Sequence, residues 1–277
     1  MCQKGQESGI MLSDEEFIRI VTFVKTRYGI DLNGKKTIIN GRLENYLRRG
    51  GWSSFGAFMN DVERDKSGDL ERALVNYLTT NHTYFMREFG HFDFFKKEVL
   101  PWAQKKAMAA KDLRIWCGAA SSGEEPYMIA MTVRDFLGLD HEHWDARILA
   151  TDISTQALTQ AIRGVYDAER MEKIPENWRR HFFHKLSNGD YEVVEEIKQQ
   201  VIFRKFNLMD PFPFKKKMHA VFLRNVMIYF DEPTKRQVVR KVYDALEPGG
   251  YFFIGMTETI DRDSTPFQII QPSIFRK

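Results

Sequence analysis

The chain has 277 residues, enough for one average domain and a smaller one. Its 41 basic and 38 acidic residues leave a net charge of +3, too balanced to indicate a nucleic-acid-binding protein. The two cysteines, Cys2 and Cys117, do not make a disulfide framework. The sequence also shows no apolar run long enough to span a membrane and no signal-peptide core. Together these features predict a cytoplasmic protein.

The first eighty or so residues carry helical patterns only. Ser13 and Glu16 have the spacing of a capping box, and the apolar repeat behind them ends at Gly29. Further helices are predicted from about Lys35 to Arg49, after Ser53 or Ser54, and from Asp69. We therefore predict an N-terminal all-α domain over residues 1–85.

From Leu113 onward, short β-rich runs alternate with helical stretches. Strands are predicted at 113–117, 147–151, 201–206, 220–223 and 251–254, and helices at 125–137, 154–163 and 232–246. This alternation is typical of a parallel sheet with helices on both faces, so residues 86–277 are predicted to form an α/β domain. The last run, 267–277, is broken at Pro272 and predicts a closing antiparallel hairpin.

One segment interrupts the alternation. Residues 164–200 are polar and contain the turn signal 187–190, followed by the β-rich run 191–194. We interpret this segment as a small inserted subdomain with a helix and a β-hairpin.

The loop after the first predicted strand indicates a ligand site. Residues 118–123 are all small, so a ligand can approach the backbone closely. Glu124 and Glu125 then open a helix, where carboxylates would repel a phosphate. Asp152 ends the second predicted strand, where an acid can hydrogen-bond both hydroxyls of a ribose. A nucleoside with a ribose, a positive charge and no phosphate matches S-adenosylmethionine. The alternatives remain that Asp152 caps a helix and that the two glutamates serve the helix dipole.

Several stretches of this chain match a known family. They are residues 29–32, 79–88, 119–127, 150–153, 206–208, 224–230 and 246–250. Through them the chain resembles the chemotaxis receptor methyltransferases, the CheR family. The resemblance implies a Rossmann-like S-adenosylmethionine methyltransferase sheet and carboxyl methylation of receptor glutamates, with S-adenosylhomocysteine as the second product. It also implies that the cofactor site is lined by Asn81, Thr83, Arg87, Glu125, Asp152, Asn207, Leu208, Asn225 and Val226. Arg87 and Tyr229 would lie nearest the transferred methyl group.

The implied chemistry needs few catalytic groups. A glutamate side chain is already a carboxylate at neutral pH, so no general base is required. Catalysis then reduces to alignment and exclusion of water. We expect Arg87 and Tyr229 to orient the acceptor carboxylate, because a guanidinium matches its geometry. The alternative is that Arg87 pairs with a nearby acid and Tyr229 packs in the core.

The second predicted helix presents a basic face. Lys35, Arg42 and Arg49 are spaced by seven and share one side of it, and Lys36 and Arg48 widen that face. This face is either an ordinary solvated surface or a docking surface for the acidic helical regions that receptors of this family present.

The turn at 186–190 is shorter than the loop with which some members grip a receptor C-terminal pentapeptide, so we expect no such binding. Met256 stands where many members have histidine. No nucleic-acid partner and no direct membrane insertion are expected.

Two other classes of function fit the sequence less well. The chain does not carry the motif of amine methylators at 225–228, which disfavours RNA or a small molecule as the acceptor. A non-catalytic S-adenosylmethionine-binding module is disfavoured by the presence of Arg87 and Tyr229. The pairs His181/His184 and His141/His143 lack further clustered ligands, so no metal is expected.

Overall fold

The computed structural model describes residues 9–261 and 265–277. Cys2 lies outside the described residues, whereas Cys117 is a buried free thiol. The chain divides into two compact units, residues 1–80 and 81–277. Within the described ranges, no helix is both long and apolar enough to cross a membrane.

In the described part of the first unit, residues 9–80, every helix or strand element is a helix, as predicted. Its helices are α1 (Asp14–Tyr28), α2 (Lys36–Arg49), α3 (Phe55–Arg64) and α4 (Asp69–Leu78). Ser13 and Glu16 form the predicted capping box, and Gly29 ends α1 in the left-handed conformation with φ of 70°. Ser54 caps α3 by accepting a hydrogen bond from the Ala57 amide. The predicted helix starts are confirmed, and the apolar faces of the four helices pack into one core.

The second unit begins with a helical segment that the sequence patterns did not indicate. It consists of α5 (Gly90–Phe94), a π-helical turn (Phe95–Val99) and α6 (Leu100–Ala107). Pro101 lies in the first turn of α6 and lacks the amide that a regular helix would use. The wider π turn directly before it shifts the phase of the apolar repeat, which hides this helix from periodicity.

The remaining elements alternate as predicted. The helices are α7 (Glu124–Leu137), α8 (Thr155–Arg163), α9 (Glu176–Phe182), α10 (Glu195–Gln199) and α11 (Glu232–Ala245). The strands are β1 (Ile115–Gly118), β2 (Ile148–Asp152), β3 (Val165–Tyr166), β4 (Phe183–Lys185), β5 (Tyr191–Val193), β6 (Val201–Lys205), β7 (Met218–Leu223), β8 (Leu246–Phe253), β9 (Gln268–Gln271) and β10 (Ile274–Arg276).

The main sheet has seven strands in the order β6-β2-β1-β7-β8-β10-β9. The first five are parallel, with Trp116 of β1 opposite Leu149 of β2 and Val221 of β7. The antiparallel strands β9 and β10 confirm the closing hairpin, and β10 also pairs with β8. β1 and β7 are buried at every residue, which is why their residues are apolar or small except for His219 in β7.

The segment 246–250 is part of β8 as an irregular bulge. Met218 pairs with Leu246 and Ala220 pairs with Tyr251, so the residues between them on β8 are looped out. Gly249 has φ of 85° in this bulge, a conformation that favours glycine. Beyond the bulge, Phe253 stacks on Phe222 of β7 at a centroid distance of 4.3 Å.

The insertion forms a separate three-stranded antiparallel sheet in the order β3-β5-β4. The predicted helix and hairpin are present as α9 and as β4 with β5, and β3 is an additional strand. The Tyr166 hydroxyl donates to the Ser122 carbonyl at 2.7 Å, which attaches the insertion to the loop after β1.

Candidate active site

Five parallel strands place their carboxyl ends at one edge of the main sheet. We call this the carboxyl edge, and it is where the residues predicted for the site are collected. Asp152 ends β2, and Glu125 lies in the first turn of α7, directly after the β1 loop. Asn207 and Leu208 follow β6, while Asn225, Val226 and Tyr229 follow β7.

The segment 81–88 joins the same edge through two hydrogen bonds. The Ser121 hydroxyl donates to the Asn81 carbonyl at 3.2 Å, and Arg224 Nη2 donates to the Arg87 carbonyl at 2.8 Å. Asn81 is exposed, whereas Thr83 and Arg87 are half-buried. The structure thus brings the predicted residues of the second unit together.

Strained backbone is concentrated in these loops. Among the described residues, non-glycine residues with positive φ are Met86, Glu88, Lys111, Ala119, Ser121 and Asn225. All of them except Lys111 lie at the carboxyl edge. Such conformations cost on the order of 1–3 kcal/mol each and persist only where the surroundings enforce them. The loops are therefore held in shape by the rest of the unit.

Asp152 is held by backbone amides. Its Oδ2 accepts from Ser121 N and its Oδ1 from Ser154 N, each at 2.8 Å. Burial raises the pKa of Asp152, and these hydrogen bonds oppose that rise. The Ile153 amide also hydrogen-bonds this carboxylate, so three backbone amides fix its orientation.

Of the two carboxylates at the start of α7, Glu124 is paired inside the protein. Glu124 is fully buried, and Arg170 Nη1 of the insertion lies 2.5 Å from its Oε1. The Ser122 hydroxyl donates to its other oxygen at 2.7 Å. Glu124 is therefore neutralised inside the protein and does not act on a ligand, because a buried carboxylate must be paired. Gly123, with φ of 99°, allows the tight turn into α7.

Arg224 occupies the centre of an ion network and is only 1% exposed. Its Nη2 donates to Glu88 Oε2 at 2.9 Å, and its Nη1 lies 2.8 Å from Glu125 Oε2. Burial would raise the pKa of Glu88, but the charge and hydrogen bonds of Arg224 outweigh it and leave that pKa lowered. Burial raises the pKa of Glu125, and Arg224 only partly opposes it. Arg224 and Glu88 were not predicted as site residues. The available signal was a charged residue directly after a fully buried strand.

Cys117 is bound to the same network. Its thiol donates to Glu125 Oε1 at 3.4 Å, and the side chain is fully buried. Burial raises the pKa of Cys117 well above its ordinary value, with Glu125 adding to the effect. The thiol is therefore protonated and inert, in agreement with its predicted role as a small buried side chain.

Arg87 and Tyr229 are both half-buried. Arg87 Nη1 donates to the His82 carbonyl at 3.0 Å, and its guanidinium lies 5.7 Å from the Tyr84 ring centroid. Neither contact is with a carboxylate, although the positive charge of Arg87 also acts to lower the pKa of Glu125. Tyr229 ends a short 3₁₀ turn, Met227–Tyr229, and does not belong to the fully buried core.

Two further residues shape the loops and were not predicted. Lys241 Nζ of α11 donates to the carbonyls of Leu208, Met209 and Asp210 at 3.1, 2.7 and 3.0 Å. It thereby fixes the loop that carries Asn207 and Leu208. Glu258 binds amides after β7 and β8. Neither residue belongs to a local motif, so sequence spacing gave no signal for them.

The basic face of α2 is only partly free. Lys36 Nζ lies 2.6 Å from Asp14 Oδ1. Arg42 Nη1 donates to the Leu78 carbonyl at 2.9 Å, and its Nη2 donates to the Thr80 hydroxyl at 3.0 Å. These two residues stabilise the helical unit itself.

Lys35 and Arg49 are exposed at the two ends of α2. Of the residues predicted for docking, Lys35 and Arg49 are therefore the ones most accessible to a partner.

The histidine pairs give no metal centre. In residues 9–261 and 265–277, no group of three or more His, Cys, Asp or Glu side chains is arranged to hold a metal ion. His141 Nε2 lies 3.4 Å from Glu196 Oε1, which gives it an ordinary surface partner.

Comparisons with known proteins agree with this geometry. The family described as "CheR methyltransferase, SAM binding domain" matches residues 81–275, and "CheR methyltransferase, all-alpha domain" matches residues 15–79. A chemotaxis protein methyltransferase of Borreliella burgdorferi is 36% identical, covering 97% of this chain and 96% of the relative. One from Escherichia coli is 34% identical, covering 96% and 92%. Chemotaxis protein methyltransferase 1 of Pseudomonas aeruginosa is 34% identical, covering 94% and 95%.

The two matched domains follow each other without a large gap and together span most of the chain. The matched cofactor domain contains every strand of the carboxyl edge, including the amide-bound Asp152. The chain therefore belongs to the CheR methyltransferase family and is an S-adenosylmethionine-dependent methyltransferase.

Proposed function

We propose that this enzyme methylates glutamate side chains of chemotaxis receptors, giving glutamyl methyl esters for sensory adaptation in the cytoplasm. The observation that carries the acceptor chemistry is Arg87. Its close contacts are with the His82 carbonyl and the Tyr84 ring, and its charge also acts to lower the pKa of Glu125 without forming a close ion pair with it among the described residues. A planar guanidinium suits an incoming carboxylate, which needs two parallel donors.

S-adenosylmethionine supplies a methyl group that its sulfonium charge has already activated. We propose that Asp152 receives the ribose hydroxyls and that Asn207 and Leu208 border the base. Asn81, Thr83, Glu125, Asn225 and Val226 would complete the pocket. Arg87 and Tyr229 would hold one acceptor oxygen in line with the methyl carbon. That oxygen forms the new bond as the sulfur–methyl bond breaks, and the electron pair remains on sulfur.

The test is transfer of labelled methyl from S-adenosylmethionine to a cytoplasmic receptor fragment. We expect label that mild base releases as volatile methanol, because a glutamyl methyl ester hydrolyses readily. Label that survives base would indicate an amine or carbon acceptor and would overturn the glutamate proposal. A reaction without the fragment serves as the control for methylation of the enzyme itself.

The receptor is proposed to dock on the remaining basic face of α2, through Lys35 and Arg49. Reversing both to glutamate should raise the KM for the receptor fragment about five- to twentyfold, since each rim charge contributes on the order of 0.5–1 kcal/mol. The dissociation constant for S-adenosylhomocysteine should not change. Added salt should narrow the difference from the wild type, because it screens exposed charges.

Arg42 is unsuitable for this test because its reversal would disrupt the end of α4. A matched control is the double reversal of Arg64 and Lys66, which are exposed elsewhere on the helical unit. It changes net charge equally and should leave the KM unaltered. An unchanged KM in the Lys35/Arg49 variant would remove the docking proposal. Because of the short turn at 186–190, we propose no binding of a receptor C-terminal pentapeptide.

A further inference from the structure

Glu258 is a buried carboxylate in the loop after β8, and only 5% of it is exposed. Its Oε2 accepts from Gly255 N at 2.6 Å and from Asn225 N at 2.8 Å. Its Oε1 accepts from Ile228 N at 3.2 Å. One side chain thus binds backbone amides from the loops that follow two neighbouring strands.

These contacts explain how a charge is tolerated there. Burial raises the pKa of Glu258, and hydrogen bonds from the amides of Gly255, Asn225, Met227 and Ile228 oppose that rise. Charge-assisted hydrogen bonds of this kind are stronger than neutral ones. The carboxylate is satisfied only while these amides converge on it, so it dictates the path of the loop after β7.

The loop after β7 carries Asn225, which is proposed to line the cofactor pocket, and Tyr229, which is proposed to contact the acceptor. Asn225 has φ of 58°, and its side-chain amide donates to Glu88 Oε1 at 3.3 Å. A side chain at position 255 would clash with Asn225, so Gly255 permits the close approach of the two loops. The Ile228 amide lies inside the 3₁₀ turn that ends at Tyr229. Each oxygen of Glu258 therefore controls a different part of the loop.

We propose that Glu258 is a positioning residue for methyl transfer, which fixes the turn at 227–229 so that Tyr229 meets the acceptor. It acts through the loop and touches neither substrate. This inference rests on the proposed function, since it assigns Tyr229 to the acceptor side.

The two oxygens allow a selective test with Glu258→Gln. Gly255 N and Asn225 N lie 2.6 and 2.8 Å from Oε2, whereas Ile228 N lies 3.2 Å from Oε1. Because the shorter hydrogen bonds are at Oε2, we expect the glutamine carbonyl there and its NH₂ beside the Ile228 amide. Asn225 then stays bound while the turn that carries Tyr229 is released. We expect kcat to fall about a hundredfold, as a displacement near 1 Å can cause. The dissociation constant for S-adenosylhomocysteine should change less than about threefold, because the cofactor side keeps its hydrogen bonds.

A second variant and a control complete the series. Glu258→Met removes both sets of hydrogen bonds and should weaken S-adenosylhomocysteine binding as well as turnover. Glu247→Gln alters a half-buried carboxylate at the start of β8, which pairs with Arg114 Nη2 at 2.9 Å. It should lower the melting temperature slightly and leave kcat unchanged. All rates are taken per molecule that binds S-adenosylhomocysteine, at temperatures well below each melting transition.

If Glu258 served stability alone, Glu258→Gln would lower the melting temperature. Its kcat, taken per molecule that binds S-adenosylhomocysteine, would stay unchanged. That result would overturn the inference. Amide hydrogen exchange gives a readout that does not depend on the acceptor. Exchange at Ile228 should accelerate about tenfold or more, while Asn225 and Gly255 stay protected. If wild-type enzyme transfers no base-labile label, the proposed function fails separately. In that case, an unchanged rate of amide hydrogen exchange at Ile228 in Glu258→Gln would still reject the positioning role of Glu258.

Discussion

Arg224→Met is expected to destabilise the second unit by about 3–5 kcal/mol, the usual cost of removing one partner from a buried ion network. Methionine fills much of the space, but Glu88 and Glu125 would be left as buried carboxylates without their cation. For a unit of this size the melting temperature should fall by about 6–20 °C. Turnover should be lost as well, since Arg224 also binds the Arg87 carbonyl. Calorimetry and methyl transfer measure the two effects.

The loss of stability in Arg224→Met should depend on pH in a definite direction. In the wild type the pKa of Glu88 is lowered, so its contribution to stability is present above the unfolded pKa and declines as pH falls. In the variant, burial without Arg224 raises the pKa of both glutamates. Their contribution is then present at low pH and declines as pH rises. The difference in melting temperature between wild type and variant should therefore narrow from pH 8 towards pH 5.

Arg114→Met is the matched control for Arg224. Arg114 also binds two carboxylates, Asp112 and Glu247, but it precedes β1 at the opposite end of the strand and is 19% exposed. Its replacement should cost less stability and leave kcat intact. A stability loss for Arg224→Met no larger than that of Arg114→Met would contradict the central role of the buried network.

Arg87→Ala is expected to lower kcat about 10²–10³-fold with the receptor fragment as acceptor. This is the usual effect of removing one donor that stabilises a reacting oxygen. The melting temperature should change little, because the side chain is half-buried and its contacts are with one carbonyl and one ring. Stopped assays at saturating S-adenosylmethionine, together with calorimetric binding of S-adenosylhomocysteine, separate turnover from cofactor affinity.

Two arginine variants accompany this test. Arg87→Lys keeps the charge but loses the planar fork, so it should recover only part of the activity. Arg147→Ala removes an exposed arginine that pairs with Asp145 before β2, away from the carboxyl edge, and should have no effect on kcat. Full turnover with unchanged cofactor affinity in Arg87→Ala would refute its assignment to the acceptor.

Much of the fold follows from local chemistry that the sequence displays. The capping box at Ser13 and the left-handed Gly29 define α1, and the apolar run before Gly118 defines β1. The helix before β1 was missed because the π turn and Pro101 break its periodicity. Bulges such as the one at 247–250 depend on pairing with a strand far away in the chain, so spacing alone cannot reveal them.

Less of the site than of the fold could be predicted, because many of its contacts join residues that are distant in sequence. Asp152 and the small loop 118–123 are identified by their position after strands. The ion pair of Glu124 could not be predicted, because its partner, Arg170, belongs to the insertion and is distant in sequence. Arg224 and Glu258 act through contacts with residues that no local pattern connects to them. A side chain that organises a site is recognised by the groups that it contacts. Those contacts are set by the tertiary fold and cannot be read from neighbouring residues in the sequence.

The bond between Arg224 and Glu88 joins residues separated by 136 positions, and it has a consequence for folding. Contacts of such long sequence separation form late, after the entropy of closing a large loop has been overcome. The carboxyl edge therefore has no local precursor that can assemble ahead of the sheet. Refolding experiments should find that methyl transfer returns in the same kinetic phase as native tertiary structure. A chain halted before β7 has formed would be able to build neither the network nor the geometry for catalysis.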